Sequence, residues 1–306
     1  MTGFLIRRLL HTIVVVWGVV TVVFVVMRLS GDPIALMVAP ETPPAEIERL
    51  RGRMGLNDPL LVQYGLFLRD AARLDFGDSI RYRQDAMAVV VDRIPVTLEI
   101  AAAAFAFAVV IALPIGVLSA LRPNSLLDNV AMVLALVGQA VPTFLLGIVF
   151  ILVFAVQFRW FPTSGLGSPA GLVLPAITLG AFAMASITRL TRSAMLEVLS
   201  QDYVRTARAK GLREAMVVRR HALRNALAPV ITIMGLQLGG LLGGSVVTET
   251  VFSLPGMGRL IIQAIGNRDY PIVQAGVFLI AIAFVGLNLL TDLLYAAFDP
   301  RIRLTG

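Results

Sequence analysis

Cysteine is absent from this 306-residue sequence, which has a single lysine and two histidines. Without cysteine the chain can form no disulfide, thiolate metal site or cysteine nucleophile, and the redox compartment stays undetermined. The lysine, Lys210, follows Ala209 where a nucleotide-binding G-x-x-x-x-G-K-[ST] loop requires glycine. His11 and His221 lack H-E-x-x-H spacing, and no G-x-S-x-G accompanies them. We therefore expect no catalytic residue, metal site or cofactor in this chain.

Charged residues are also scarce, at 15% of the sequence, whereas 58% is hydrophobic and the mean hydropathy is +0.85. A soluble globular protein of this length needs more polar surface, so the composition indicates a membrane protein. The net charge of +7 could indicate nucleic-acid binding. In a membrane protein, arginine-rich cytoplasmic loops are the commoner cause, and we expect no nucleic-acid partner.

Six long apolar runs predict six membrane-spanning helices, since about 20 residues rising 1.5 Å each cross the hydrocarbon core. The runs are Leu9–Met27, Thr97–Leu121, Val130–Gln157, Leu172–Thr188, Ala228–Thr250 and Val273–Phe298. The first exceeds the apolar part of a signal peptide and lacks a small-x-small cleavage site, so we expect it to be retained. The fourth is short, and could gain a turn if Arg189 and Arg192 extend toward the interface. Pro114 and Pro142 predict kinks in the second and third.

The distribution of basic residues predicts that both termini are cytoplasmic. With the N-terminus inside, fourteen arginine and lysine residues fall in short cytoplasmic segments. Short external loops then hold three, which are Arg159, Arg259 and Arg268. Because positive charge accumulates on the cytoplasmic side, this asymmetry fixes the predicted orientation. We expect a multi-pass membrane protein, in contact with lipid.

This topology divides the chain into three predicted parts. Residues 1–29 form the N-terminal end and first helix, 30–96 an external subdomain, and 97–306 a five-helix core that contains a cytoplasmic loop at 196–227. Prolines and glycines in the external part are spaced for short helices. The predicted fold is therefore an all-α polytopic membrane protein with six transmembrane helices.

Four polar residues inside predicted spans are candidates for lining a solute pathway, and these are Gln139, Gln237, Asn288 and Asp292. The last two share one helix face. Hydrogen bonds between helices explain such residues equally well. Glycines at every fourth position, such as Gly235, Gly239 and Gly243, predict a close helix contact either within the chain or with a second subunit.

The segment DYVRTARAKGLREAMVVRRHALRN, residues 202–225, holds six arginines and the lysine between two apolar runs. Gly211 divides it into two short helical pieces, each with an apolar stripe beside its basic residues. A positively charged loop on anionic lipid explains the arginines. It requires neither the apolar stripe nor the central glycine, whereas a helix presented to a partner's groove explains both. We therefore expect a docking segment for another protein.

Two stretches of this segment, Asp202–Gly211 and His221–Ala226, resemble the EAA loop of ABC importer permeases of the dipeptide/oligopeptide type. Further similar stretches run through nearly the whole chain and are specific as an ordered set: Arg7–Leu10, Gly31–Pro33, Gly55–Leu56, Asp58–Leu60, Gln63–Tyr64, Asp75–Ser79, Pro95–Glu99, Glu249–Leu260 and Arg268–Pro271. The sequence departs from the general motif where Arg205-Thr206-Ala207 stands in place of Glu-Ala-Ala.

The resemblance implies a type I ABC importer permease that binds no ATP itself. It implies a second similar permease, two ATP-binding subunits that hold ATP and magnesium, and an external solute-binding protein. The residues implied to couple the permease to the ATPase are Asp202, Arg205, Thr206, Ala207, Arg208, Lys210, Gly211, His221 and Leu223. The residues of the external loop signature are Glu249, Phe252, Pro255, Gly256 and Gly258.

The resemblance also makes dipeptides or oligopeptides the expected solute, with glutathione, nickel or another small solute as the alternative. Two histidines and no cysteine do not support a nickel site in this chain. An ion-coupled secondary transporter is a competing class, but it would need midplane carboxylates, of which Asp292 alone fits well. It would also leave the large basic loop without a role. A structural membrane subunit, with no solute-dependent activity, is the third class.

Overall fold

The structure is a computed structural model, and it describes residues 2–29, 34, 38, 42–53 and 55–298. Side chains are described for these residues apart from 2–9, 11, 50, 53 and 290–298. In this part of the chain regular structure is almost entirely helical, and the sole extended pairing is an isolated bridge between Asp78 and Asp85. The predicted all-α fold is confirmed.

The helices follow one another along the chain, with two short π-helical segments inserted between them. They are α1 (Thr2–Leu29), α2 (Pro44–Arg53), α3 (Leu60–Ala72), α4 (Ala86–Val91), α5 (Ile94–Leu121), α6 (Leu126–Ala140), α7 (Thr143–Phe150), π1 (Ile151–Gln157), α8 (Ala170–Leu199), α9 (Asp202–Ala209), α10 (Glu214–Met216), π2 (Val217–Leu223), α11 (Arg224–Val251), α12 (Met257–Gly266) and α13 (Tyr270–Phe298).

Local sequence explains several helix boundaries. Ser125 caps α6 by accepting a hydrogen bond from the Asp128 amide, and Asp85 caps α4 by accepting one from the Ala88 amide. Pro59 immediately precedes α3, where its missing amide hydrogen costs nothing. At the end of α11, Ser253 adopts a φ of 54° and the Leu254 amide donates to the Glu249 carbonyl. This six-to-one hydrogen bond is the Schellman pattern, which satisfies carbonyls that the helix leaves free.

Five helices are long and apolar enough to cross a membrane, and α6, α7 and π1 make a sixth span if they are counted together. The bend between α6 and α7 is 111°, at Val141–Pro142, so the predicted kink is a complete break. α5, by contrast, continues through Pro114. α8 has 30 residues and extends beyond the predicted fourth span, Leu172–Thr188, at both ends. Arg189 and Arg192 lie inside it and bind other side chains.

The described chain packs into two units, and the first consists of Thr97–Leu254 and Gly286–Phe298. α8 lies at its centre and packs against α6, α7 and α11. Of the residues in its apolar, membrane-spanning stretch, 61% are buried. Glycines allow α5 and α8 to approach closely. A Cβ atom at Gly180 of α8 would lie 2.6 Å from the Ala104 carbonyl oxygen, and one at Gly116 of α5 would lie 2.7 Å from the Thr191 Cβ.

The second unit consists of Thr2–Val96 and Pro255–Val285. Its core joins apolar residues of α1, α3, α4, α12 and α13, with Val90 and Ile272 fully buried. Four aromatic rings pack one against the next through this core, in the order Phe24, Phe67, Phe76 and Phe278. The predicted boundaries at residues 29 and 96 separate parts of the chain by their side of the membrane, whereas the two units are separated by packing. The predicted boundaries therefore stay a prediction.

Candidate coupling segment and intramembrane polar groups

The predicted docking segment folds as α9, a sharp turn, and a second helical piece formed by α10 and π2. Gly211 makes the turn at a φ of 74°, in the left-handed region that glycine adopts without strain. Its amide donates to the Arg208 carbonyl, and the Leu212 amide donates to the Ala207 carbonyl. These two hydrogen bonds form the Schellman pattern. The central glycine is therefore what ends α9 and redirects the chain.

A small apolar core holds the two pieces together. Val204, Ala207 and Val217 are buried in it, and Leu212 packs against them together with residues from the end of α8. The apolar side of α9 is thus used inside the chain. Ala207, which the sequence places among the docking residues, contributes to the folding of the segment, and the surface left for a partner is mainly polar.

The exposed surface of α9 carries most of the other predicted coupling residues. The Asp202 and Arg205 side chains are 95% and 74% exposed and form a weak pair at 3.6 Å. Thr206 donates from its hydroxyl to the Asp202 carbonyl at 3.0 Å, and Lys210 is exposed. These residues are accessible, and their few internal bonds leave them free to contact another protein.

One pair of charges joins the two pieces across the turn. Arg208 donates two hydrogen bonds to the Glu214 carboxylate, at 2.7 and 3.1 Å. The bond from Glu214 raises the pKa of the Arg208 guanidinium above its ordinary value, so the arginine stays charged. The pair bridges α9 to α10 on the exposed side, where it neutralises the acidic residue of the second piece.

The second piece leads into the membrane through a π-helical turn, a feature that often occurs at functional sites. Asn225 donates to the Tyr203 hydroxyl and to the His221 carbonyl, both at 2.9 Å. The side chains of His221 and Leu223 are half-buried. The bond from Asn225 to Tyr203 joins the start of α11 to α9.

The four pathway candidates have different surroundings. Gln139 of α6 donates to the Ser186 hydroxyl of α8 at 2.8 Å and accepts from Arg189 of the same helix. It therefore forms hydrogen bonds between helices, which was the alternative to a role in the pathway. Gln237 has a buried amide nitrogen without a partner in the described part of the chain. Asn288 is half-buried in α13, and the side chain of Asp292 lies outside the described residues. Among the described side chains no hydrogen bond joins any two of the four.

The glycine-rich face of α11 divides between two roles. A Cβ atom at Gly244 would lie 3.0 Å from Leu179 of α8, which is a close contact within the chain. At Gly240 and Gly243 it would meet no described atom within 4 Å. Part of this face is therefore packed against α8, and part is open.

The external loop signature begins in the first unit. Glu249 is fully buried and accepts a hydrogen bond from the Thr97 hydroxyl at 2.7 Å. Phe252 is 1% exposed and packs near Gly147 of α7, where a Cβ atom would lie 3.3 Å from its ring. Both residues are structural parts of the α11 end. The buried carboxylate joins α11 to α5, since Thr97 lies in the first turns of α5.

The remaining signature residues lie in the second unit and start α12. Gly256 is its N-cap, Gly258 is buried in its first turn, and Pro255 is exposed just before it. The neighbouring Met257 and Leu260 belong to the core of that unit. The signature therefore specifies a short amphipathic helix, which the sequence-based assignment of spans did not include.

Two polar clusters were missed by reasoning from the sequence. Arg192 of α8 forms a bidentate pair with Asp128 of α6, at 2.5 and 2.7 Å, and the Asp128 side chain is 2% exposed. In the second unit, Asp269 is buried and accepts from the Ser79 hydroxyl and from the amides of Ile80 and Arg81. Ser125 and Asp128 have the spacing typical of a helix start, which indicates where Asp128 lies but not that Arg192 is its partner.

In the described residues no cluster of three or more histidine, aspartate or glutamate side chains could hold a metal ion. The basic segment instead offers cations, and the intramembrane groups offer amides and hydroxyls.

Comparison with known proteins identifies the family. Residues 112–304 match the family described as binding-protein-dependent transport system inner membrane component, and residues 1–101 match its N-terminal counterpart. The dipeptide transport system permease protein DppB of Alkalihalophilus pseudofirmus is 40% identical over 99% of this chain and 100% of that protein. The glutathione transport system permease protein GsiC of Escherichia coli K12 is 41% identical over 99% of each.

Solved structures agree on the fold. The MetNI methionine ABC transporter in an inward-facing conformation matches with a TM-score of 0.58 and 23% identity, over 70% of this chain and 97% of that one. An amino acid ABC transporter crystallised with histidines matches with a TM-score of 0.52 and 20% identity, over 70% and 94%. The chain has the fold of a type I ABC importer permease and is a multi-pass inner-membrane protein. It belongs to the family of binding-protein-dependent transport system inner membrane components, the permease subunits of ABC importers.

Proposed function

We propose that this chain forms half of the translocation pathway of an ATP-driven importer of dipeptides or oligopeptides. The observation that carries the proposal is the end-to-end similarity to a dipeptide permease, which covers 99% of this chain. A second permease of similar fold forms the other half. An external solute-binding protein delivers the peptide, and both termini of this chain are cytoplasmic.

ATP hydrolysis, with ATP and magnesium, takes place in two partner subunits, and this chain holds no cofactor of its own. The open glycines of α11 support a seam with the second permease, because small residues allow helices to approach closely. Gly240 and Gly243 leave that space unfilled within the described chain.

The cytoplasmic segment, residues 196–227, couples the permease to the ATPase. Its exposed residues Asp202, Arg205 and Lys210 contact the partner, while the core beneath them keeps the segment rigid. Closure of the ATPase moves α9, and Asn225 and π2 transmit that movement to α11. Binding of ATP can shift access along the pathway only by as much as it favours one conformation over the other.

Glutathione is a second candidate solute, favoured by the similarity to a glutathione permease at 41% identity. It is itself a small peptide with free carboxylate and ammonium groups, so one pathway can suit both cargoes. The external binding protein then determines which of them is imported.

The test is ATP hydrolysis by the tagged chain, purified from its native membrane with the proteins that accompany it. Hydrolysis is measured with the binding protein alone, with a peptide mixture and with glutathione. Stimulation by peptides supports peptide import, and stimulation by glutathione alone moves the assignment to the second candidate. An intact preparation without ATPase activity would contradict the importer assignment.

A further inference from the structure

The second piece of the cytoplasmic segment has a basic face whose arginines are not among the residues implied to couple the permease to the ATPase, and Leu223 alone belongs to both sets. A groove of about 720 Å³ lies along it, from the N-cap of α10 to the first turn of α11. We propose that this groove binds the headgroup and upper acyl chain of an anionic phospholipid, and that it is a lipid site distinct from the exposed face of α9.

Positive charge dominates the groove. No acidic residue lines it. Four arginines do, and these are Arg213, Arg219, Arg220 and Arg224. All four are exposed, and in the described part of the chain none of them has an ion-pair partner. The nearby Glu214 is already bound in a bidentate pair with Arg208. Because guanidinium groups bind phosphate oxygens through paired hydrogen bonds, the unpaired charges match a phosphodiester.

The π-helical turn explains how the arginines come to one side. In a π-helix each turn takes more than four residues, so residues four or five apart lie above one another. Arg220 and Arg224 are four apart, and Arg219 and Arg224 are five apart. The buried Val217 and Ala222 fix the opposite side against the body of the segment. The arginines therefore point away from the chain as a group.

The apolar part of the groove indicates an amphiphile. Met216 is 45% exposed, and Leu223 and Leu227 line the groove together with the arginines. Leu227 is in the first turn of α11, the helix that crosses the membrane. On the predicted orientation this places the groove at the depth of cytoplasmic phospholipid headgroups, where basic pockets beside spanning helices bind anionic lipids. An acidic patch on the ATPase would match the charges and leave the apolar wall unexplained.

The experiment uses the full chain in its purified complex, washed in detergent to remove bound lipid. Equimolar phosphatidylglycerol and phosphatidylcholine with identical acyl chains are added, and bound lipids of each class are counted by native mass spectrometry. The variant is Arg220→Gln. The matched control is Arg122→Gln, which removes one exposed arginine of the same predicted membrane side that lies outside the groove and outside the proposed coupling residues.

We expect wild type and control to retain phosphatidylglycerol selectively, and the groove variant to lose that selectivity at least about fivefold. Unchanged selectivity, or an equal loss in the control, overturns the proposal. Either result would show that the positive charge of the chain as a whole attracts anionic lipid and that the groove is not a specific site. Co-purified ATPase is measured in the same samples. Loss of the ATPase with lipid selectivity intact would assign the groove to the ATPase and also overturn the proposal.

The proposal does not depend on the proposed transport function. If no ATPase accompanies the wild-type chain, the importer assignment fails and the lipid ratio still decides the groove. If lipid selectivity falls in the groove variant and is retained in the control, the proposal stands whether or not the ATPase remains bound.

Discussion

Arg192 and Arg220 belong to the same half of the chain and have opposite surroundings. Arg192 makes two hydrogen bonds to a buried aspartate and joins α8 to α6. Arg220 is exposed and has no acidic partner among the described residues. One arginine stabilises the helix bundle, and the other is available to a lipid or a protein.

The same contrast separates the whole helix core from the cytoplasmic segment. In the core, polar groups bind one another and glycines allow backbones to touch. In the segment, Val204, Ala207 and Val217 form a small internal core and the charges point outward. Changes in the core should therefore reduce stability, and changes in the segment should reduce coupling at constant stability. Each of the following variants tests that division.

The largest loss of stability is expected for Asp128→Ala. Removing one partner of a buried ion pair costs about 3–5 kcal/mol when the remaining charge is fully buried. Arg192 is 25% exposed, so we expect about 2–3 kcal/mol after allowing for its contact with solvent. The measurement is thermal unfolding of the purified chain in detergent.

The double variant Asp128→Leu with Arg192→Met is the control for this prediction. It removes both charges and keeps apolar volume, so it should recover much of the lost stability. A double variant as unstable as the single one would show that the pair is not the source of the effect.

Gly180→Ala should produce the next largest effect. The new Cβ atom would lie 2.6 Å from a backbone carbonyl oxygen that cannot rotate away, and overpacking of this kind costs about 1–3 kcal/mol. Gly240→Ala on α11 is the matched control, since it meets no described atom within 4 Å. The control should be neutral or slightly stabilising in the isolated chain, because alanine favours helix. Equal losses in both would contradict the proposed contact of α5 with α8.

Gly211 lies at the boundary between structural and functional roles. Gly211→Val forces a branched residue to a φ of 74°, at a cost of about 1–2 kcal/mol confined to the segment. We expect the membrane core to stay folded while co-purified ATPase and transport are lost. Gly211→Asn, which tolerates that conformation, should retain both. Transport that is unchanged in the valine variant would remove the support for a coupling role.

The sequence was sufficient for the features that depend on local composition. Membrane helices need long apolar runs, so hydropathy located the spans, and Pro142 marked the break in the third one. The glycine in the basic segment indicated its turn correctly. The 10-residue α12 was missed because a short apolar helix has neither the length of a span nor a distinctive pattern.

Features that depend on tertiary packing could not be predicted. Asp128 and Arg192 are 64 residues apart, and no local pattern pairs them. The apolar stripe of α9 indicated a contact, but a stripe does not identify its partner. Val204 and Ala207 contact Val217 of the same chain, and the expectation of an apolar face for another protein did not anticipate this.

The smallest effect on stability is expected for Arg208→Gln, and it discriminates best between the two regions. The side chains of Arg208 and Glu214 are 41% and 56% exposed, and pairs this exposed to water contribute roughly 0.2–1 kcal/mol. Unfolding should change little, as it should in Glu214→Gln. If the pair only braces the turn, the two variants should affect ATPase stimulation equally. If Arg208 contacts the ATPase, its variant should reduce stimulation more, because only that change removes a cation from the docking surface. A loss of stability as large as that of Asp128→Ala would instead place this pair with the structural core and remove the distinction between the two regions.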